Sequence, residues 1–548
     1  MSFLQLVRRE MNASARKLVF MSALGGVSNA AILTAINTGS GAADDTSHGG
    51  NLWAATLFLV ALFVYFKTQV YISTTITAEI EAIIHKLRIR LMDYVRRSEL
   101  LSVEEIGRSR IIAAITSDSA ILTQASNMLT FSIQGPVLIT FVAIYIAYLS
   151  FAAFALSAII LVTAGTIFHF KSRHLTAERA KASAHERQLF DRLSDFIDGF
   201  KELRLNRQRS DALFDDTVTV SRTAANIKIR AQSETFKQVA ATQGYMYILL
   251  GAIVFVAPQF SDALGGASIA KITAALLYVI GSCFSLVQTI PILMNANAAA
   301  DRIVKLETTL REGVSSEGDA VEAPTSFDKI EMKGIIFTYK DKFSDAAFHI
   351  GPIDFTLRSG ELLFITGGNG SGKSTFLRVL AGLYHPQTGE VFLDGMRINK
   401  ATRDVYRELF SAIFFDYHLF KRMYGISEPD PGELASLLTK FRLEDKTGLT
   451  KEGDFKTLDL SGGQRRRLAL IVSMMEKRPI VLLDEWTAEQ DPEYRRKFYD
   501  ELLPEMMRAG KTVVVITHDD RYLDELHLPA RRMHMEEGRI VNEVKMGV

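Results

Sequence analysis

Residues 367–375 read Gly-Gly-Asn-Gly-Ser-Gly-Lys-Ser-Thr. Gly367, Gly372, Lys373 and Ser374 fill the spacing G-x-x-x-x-G-K-[ST] of a phosphate-binding P-loop. Glycine tolerates the backbone curl that turns the loop N–H groups, from Asn369, Gly370 and Ser371 round to Thr375, toward a phosphate chain. The helix that follows adds a positive N-terminal end. Lys373 is placed to reach the β- and γ-phosphates, and the Ser374 hydroxyl to sit on Mg²⁺. The bland reading is a glycine-rich strand-to-helix turn that binds nothing. An apolar run at 362–365 before the loop and helical spacing after it disfavour that reading.

Further chemistry-bearing residues follow in order. The apolar run 480–483 ends in Asp484 and Glu485. Asp484 is placed to hold the Mg²⁺ shell and Glu485 to orient or deprotonate an attacking water. Two acids after an apolar strand are weak evidence alone; behind a P-loop at this distance they are strong. Ser461-Gly462-Gly463-Gln464 opens a second helical run, with a hydroxyl and glycine N–H groups forming an anion nest at its start.

These residues need elements to position them. Apolar strand candidates at 362–365, 480–483 and 513–516 alternate with helical stretches, which predicts an α/β domain with a largely parallel core sheet over 328–548. Residues 311–327 are polar, lack apolar periodicity and read as a linker. The 548-residue chain exceeds one core, and its 48% hydrophobic content points to membrane spans in residues 1–310. Six are expected, at about 18–38, 52–72, 131–150, 151–170, 245–260 and 272–294. The first is too long for a signal-peptide core. A net charge of +1 argues against nucleic acid as a partner of the whole chain. The single cysteine, Cys283, excludes an intrachain disulfide and a cysteine-cluster metal site.

The loops orient the spans. Residues 39–51 and 261–270 contain no Lys or Arg. The two long connections carry Lys86, Arg88, Arg90, Arg96, Arg97, Arg108 and Arg110, then Lys171, Arg173, Lys201, Arg204, Arg207 and Arg209. The positive-inside rule places both connections, the N-terminus and the P-loop domain in the cytoplasm. Helical periodicity continues through both, so the spans are expected to run on as helices, turning near 99–107 and 207–214. Lys67 is the one charge well inside a candidate span; it either snorkels or faces a central cavity. Ser28, Asn29, Thr34, Asn37, Ser282, Ser285, Gln288, Thr289 and Asn295 either line a polar cavity or hold helices together.

From about residue 330 to the C-terminus the chain resembles the nucleotide-binding domain of ATP-binding-cassette (ABC) transporters. Ser461 to Gln464 match the signature sequence, Thr517-His518 the switch histidine, and Tyr339 the aromatic that stacks on adenine. With the six-span region, the whole resembles exporter half-transporters. That resemblance implies a homodimer in the bacterial inner membrane, using ATP and Mg²⁺, with each ATP held between the P-loop of one subunit and Ser461 and Gly463 of the other. Glu485, His518 and Lys373 are then the catalytic residues.

Two departures and one further stretch narrow the resemblance. Trp486-Thr487-Ala488-Glu489-Gln490-Asp491 replaces the usual Pro-Thr-Ser-Ala-Leu-Asp, and residues 410–420 contain no glutamine where a glutamine loop is expected. Asp416 or Phe415 stands in its place, Asp416 being the candidate metal ligand. With Gly199-Phe200-Lys201-Glu202-Leu203-Arg204 these look like the exporters of cyclic and siderophore peptides and microcins. The implied function is ATP-driven export of a modified or cyclic peptide. A lipid or drug flippase is the alternative on the same scaffold, and a regulatory cassette with little hydrolysis is disfavoured by Glu485 and His518. A leader-cleaving exporter is disfavoured because no Cys/His protease domain precedes the first span. Six spans exclude a soluble ribosome-associated cassette.

Overall fold

A computed structural model describes residues 3–11, 15–41, 48–260, 266–314, 324–340, 347–426 and 429–547. Residues 315–323 of the expected linker lie outside them. The chain forms two compact units: Met1–Asp93 with Ser109–Thr309, and Tyr94–Arg108 with Leu310–Val548.

The first unit is built from long helices, which suits a sequence with few breakers and long apolar stretches. The helix His48–Arg97 has 50 residues, and Arg207–Gly251 has 45. At about 1.5 Å per residue each far exceeds the ~30 Å of hydrocarbon, in keeping with the continuation read from periodicity. Among the described residues, four helices are long and apolar enough to span a membrane: Arg16–Gly39, Leu52–Arg97, Arg207–Val256 and Ile269–Glu312. The expected third and fourth spans fall in the helices Ser119–Leu149 and Phe151–Asp198, whose apolar parts, Gln134–Leu149 and Phe151–Ile167, are shorter. They meet at Ser150, whose side chain caps the second helix by accepting from Ala153 N–H. The turn expected near 207–214 comes earlier than the sequence suggests. Gly199 ends one helix and Asn206 caps the next, so 207–214 is helical.

Several polar residues of the spans bond within their own helices. The Ser28, Thr34, Ser285 and Thr289 hydroxyls donate to carbonyls four residues back. Asn29 accepts from Tyr278 and, with Tyr65, Gln134, Ser282 and Ser285, lines a cavity of about 130 Å³. Lys67 is exposed, its ammonium 5.7 Å from the Phe63 ring centre. Arg90 ties distant segments together through Glu10 at 2.9 Å and Glu307 at 3.0 Å.

Among the described residues of the second unit, ten strands form two sheets. β1 (Lys329–Lys340), β2 (Ala347–Arg358), β4 (Thr388–Leu393) and β5 (Met396–Arg397) make an antiparallel sheet in the order β2-β1-β4-β5. β3 (Leu362–Thr366), β6 (Phe410–Ile413), β7 (Ile480–Asp484), β8 (Thr512–Ile516), β9 (Ala530–Glu536) and β10 (Arg539–Met546) make the core sheet, β10-β9-β3-β8-β7-β6. It is parallel except for β10, as the alternation of strands and helices requires.

β3, β7 and β8 are buried along their whole length, which explains why they read as unbroken apolar runs. Their side chains alternate. Phe364, Val481, Leu483 and Val515 join one core with Leu468 and Ile471 of the helix Gly462–Met475. Leu363, Ile365, Leu482 and Ile516 join the other, with Phe376 and Leu380 of the helix Lys373–Leu380. The P-loop helix and the Ser461 helix are thereby fixed on opposite faces of one sheet.

Candidate functional site

β3 delivers the P-loop. Gly367 has φ 145°, and a Cβ there would lie 2.1 Å from the Met535 carbonyl oxygen; Gly372 has φ 95° and faces Ile350. Both positions therefore require glycine. Asn369 and Gly370 are exposed at the loop tip, Ser371 is buried, and Ser374 and Thr375 are half-buried in the first helical turn. Lys373 lies back across the loop, its ammonium donating to the carbonyls of Gly367 at 3.0 Å and Gly368 at 2.9 Å. Burial pulls its pKa below the ordinary lysine value, opposed by the carboxylates of Glu485 and Asp484.

A cleft of about 860 Å³ opens over the loop, lined by Gly368, Asn369, Gly370, Ser371, Phe348, His349 and Arg539 among others. Tyr339 does not line it; it is half-exposed on β1, directly opposite Phe348 in the β1–β2 ladder. Phe348 thus supplies the aromatic wall. Sequence reasoning missed it because Phe348 follows a segment with no periodic pattern.

Neighbouring strands β7 and β8 bring the acids and the histidine together. Asp484 pairs with Ile516 in register, and His518 follows two residues later. His518 Nε2 is 3.3 Å from Glu485 Oε1. Glu485 sits in the left-handed region at φ 51°, ψ 37°, while its N–H donates to the Ile516 carbonyl at 3.0 Å. Such a conformation costs about 1–3 kcal/mol and persists only where the surroundings impose it.

Asp484 is 1% exposed, and neither carboxylate oxygen has a hydrogen-bond partner at normal geometry. Burial raises its pKa, against the influence of the nearby Ser374 hydroxyl. A buried carboxylate with open acceptor sites beside a hydroxyl fits a hard divalent cation. No cluster of three or more His, Cys, Asp or Glu exists among the described residues, so phosphate and water oxygens would complete such a shell.

The Asp416 carboxylate pairs with Arg378 of the P-loop helix at 3.4 Å. Ser461, Gly462, Gly463 and Gln464 form a capping box at a helix start: Gln464 N–H donates to Ser461 Oγ, and Ser461 N–H to Gln464 Oε1 at 3.0 Å. Ser461 and Gly462 are exposed, and none of the four lines the cleft. The structure therefore gathers the P-loop, Asp484, Glu485 and His518 in one region and leaves the Ser461 nest open outside it.

Comparison with known proteins identifies relatives of the chain. The family model described as ABC transporter matches residues 350–488. The ATP-binding protein SyrD of Pseudomonas syringae pv. syringae is 34% identical over 487 residues, 85% of this chain and 84% of its own. The probable syringafactin export ATP-binding/permease protein SyfD of Pseudomonas syringae pv. syringae (strain B728a) is 32% identical over 203 residues, 35% of this chain and 30% of its own. A solved bacterial Atm1-family ABC exporter with ATP bound shares the fold, with a TM-score of 0.76 over 97% of this chain and 95% of that one at 17% identity. Given the shared sequence along most of SyrD, the chain belongs to the ABC transporter family; it has the fold of an ABC exporter, and its cassette couples ATP hydrolysis to transport.

Proposed function

We propose that the protein is a homodimeric exporter that moves a modified or cyclic peptide, microcin- or siderophore-like, across the bacterial inner membrane. The observation that carries the peptide reading is the likeness to SyfD, named for syringafactin export. The departures at Phe415-Asp416 and Trp486–Asp491 support it. Six spans cross the bilayer, two of them in Ser119–Leu149 and Phe151–Asp198, and the basic connections face the cytoplasm.

Within each chain Lys373 and the loop from Gly367 to Thr375 hold the phosphates of ATP. Ser374 and Asp484 would hold Mg²⁺, which when bound would supply positive charge to the phosphates. Asp416, held at Arg378, stands beside that site. Glu485 activates the water, and His518 lies within reach of its carboxylate. The adenine packs against Phe348, which lines the cleft, with Tyr339 as its neighbour across the β1–β2 ladder. The open nest at Ser461, Gly462, Gly463 and Gln464 meets the ATP of the partner subunit. Metabolite profiling of a deletion strain against its parent tests the cargo: a peptide retained in cells supports the reading, whereas retained lipid with unchanged peptides overturns it.

A further inference from the structure

The two departures from the usual exporter wording meet at one side chain. Arg466, on the helix that begins at Ser461, is 1% exposed. Its Nε donates to Glu489 Oε2 at 3.1 Å, and its Nη1 donates to the main-chain carbonyl of Glu485. The guanidinium carbon lies 5.4 Å from the ring centre of Phe415 and 6.0 Å from that of Tyr417. Trp486 locks the arrangement from the other side: its indole N–H donates to the Arg466 carbonyl at 2.9 Å, and its ring is wholly buried against Phe498. The start of the Arg466 helix is pressed on the same turn, since a Cβ on Gly462 or Gly463 would lie 2.8 Å from Glu489.

Residues 414–417 lie between two arginines and alternate between them. Phe414 and Asp416 face Arg378 of the P-loop helix, while Phe415 and Tyr417 face Arg466. A shift of this segment therefore presses on a guanidinium that holds the backbone of Glu485, a residue already in a conformation its surroundings must impose. A planar fork can serve the Glu489 carboxylate and the Glu485 carbonyl together; a lysine ammonium, a point charge on a flexible stem, is poorly suited to both.

We propose that Arg466 is a positioning residue for hydrolysis: its guanidinium fixes the main chain at Glu485, and so the aim of the Glu485 carboxylate, and transmits movement of Phe415 and Tyr417 to it. This rests on the reading of Glu485 as the group that activates water.

The test uses the full-length chain in lipid nanodiscs, measuring kcat and KM for ATP and the binding of ATP itself. Arg466→Met combined with Glu489→Met removes the buried charge with its partner, and Glu489→Met alone is the reference. The double variant should lose about 10–100-fold in kcat, as small misplacements of a catalytic group do, with ATP binding changed less than threefold. Arg466→Lys, which keeps the charge and guards against a double variant that does not fold, should lose kcat in the same sense. Phe415→Leu combined with Arg466→Lys should cost no more than the larger single change, because the two act through one contact. A double variant within threefold of its reference in kcat, or Arg466→Lys at parental kcat, overturns the proposal. Glu485→Gln measured beside them separates the failures: if it retains turnover, the reading of Glu485 falls, whatever the Arg466 variants do.

Discussion

Glu485 carries three constraints in one residue: a left-handed backbone, a carbonyl held by Arg466, and a carboxylate 3.3 Å from His518. None of these is needed to end a strand, and strain of this kind gathers where chemistry is done. Replacing it with glutamine keeps the shape and removes the proposed base. Glu485→Gln should bind ATP as the parent does and lose roughly 10²–10⁴-fold in turnover. Steady-state phosphate release with a nucleotide-binding measurement checks this, and near-parental turnover would remove Glu485 from the mechanism. At this scale the sequence is most legible where function depends on local spacing. Lys373, Ser374, Asp484 and Glu485 could be picked out as candidates because a P-loop and a strand end are contiguous in the chain. Phe348 and Arg466 could not, because one depends on a ladder partner and the other stands in a run of three arginines that spacing cannot tell apart.

The short helix Leu100–Ile106 shows what an element owes to distant residues. It lies in the stretch 94–108 that packs with the cassette, and Glu99 before it reaches Arg403 at 2.7 Å and Arg407 at 2.6 Å. Glu104 accepts from Tyr384 at 2.8 Å, and burial, with that carboxylate, pushes the Tyr384 phenol up to about 12. Periodicity could mark a turning point near 99–107. It could not assign the partner, because Glu99 and Arg403 are 304 residues apart. Arg403 is 8% exposed, so Glu99→Gln leaves a nearly buried cation without its carboxylate. Losing one partner of such a pair costs about 3–5 kcal/mol when burial is complete and less here, where water reaches Glu99. The thermal unfolding midpoint of the purified protein should fall by several degrees with ATP affinity unchanged. An unchanged midpoint would show the pair to be a surface contact. Span number is less legible than helix position, since the apolar parts Gln134–Leu149 and Phe151–Ile167 fall near the lower limit for crossing a bilayer.

One chain supplies one P-loop, on one face of the core sheet, and one Ser461 nest that does not line its cleft. In the proposed homodimer, a site needing both is completed by the second copy. Lys373→Ala chains mixed with Ser461→Arg chains should give dimers with one intact site and one doubly broken site, and ATPase activity above either parent variant. No recovery, with mixed dimers shown to form, would count against shared sites. The two-unit division of labour, helices in the first half and a P-loop α/β domain in the second, was open to reading because hydropathy and strand–helix alternation are properties of long windows. The cargo was not, since the cavity beside Asn29 holds side chains that serve helix packing equally well. The account stands on ATP hydrolysis driving peptide movement, and transport itself tests that most directly. Inside-out membrane vesicles bearing the parent chain should accumulate the peptide retained by the deletion strain when given ATP and Mg²⁺, and vesicles bearing Glu485→Gln should not. Equal accumulation in both, or accumulation without ATP, would contradict it.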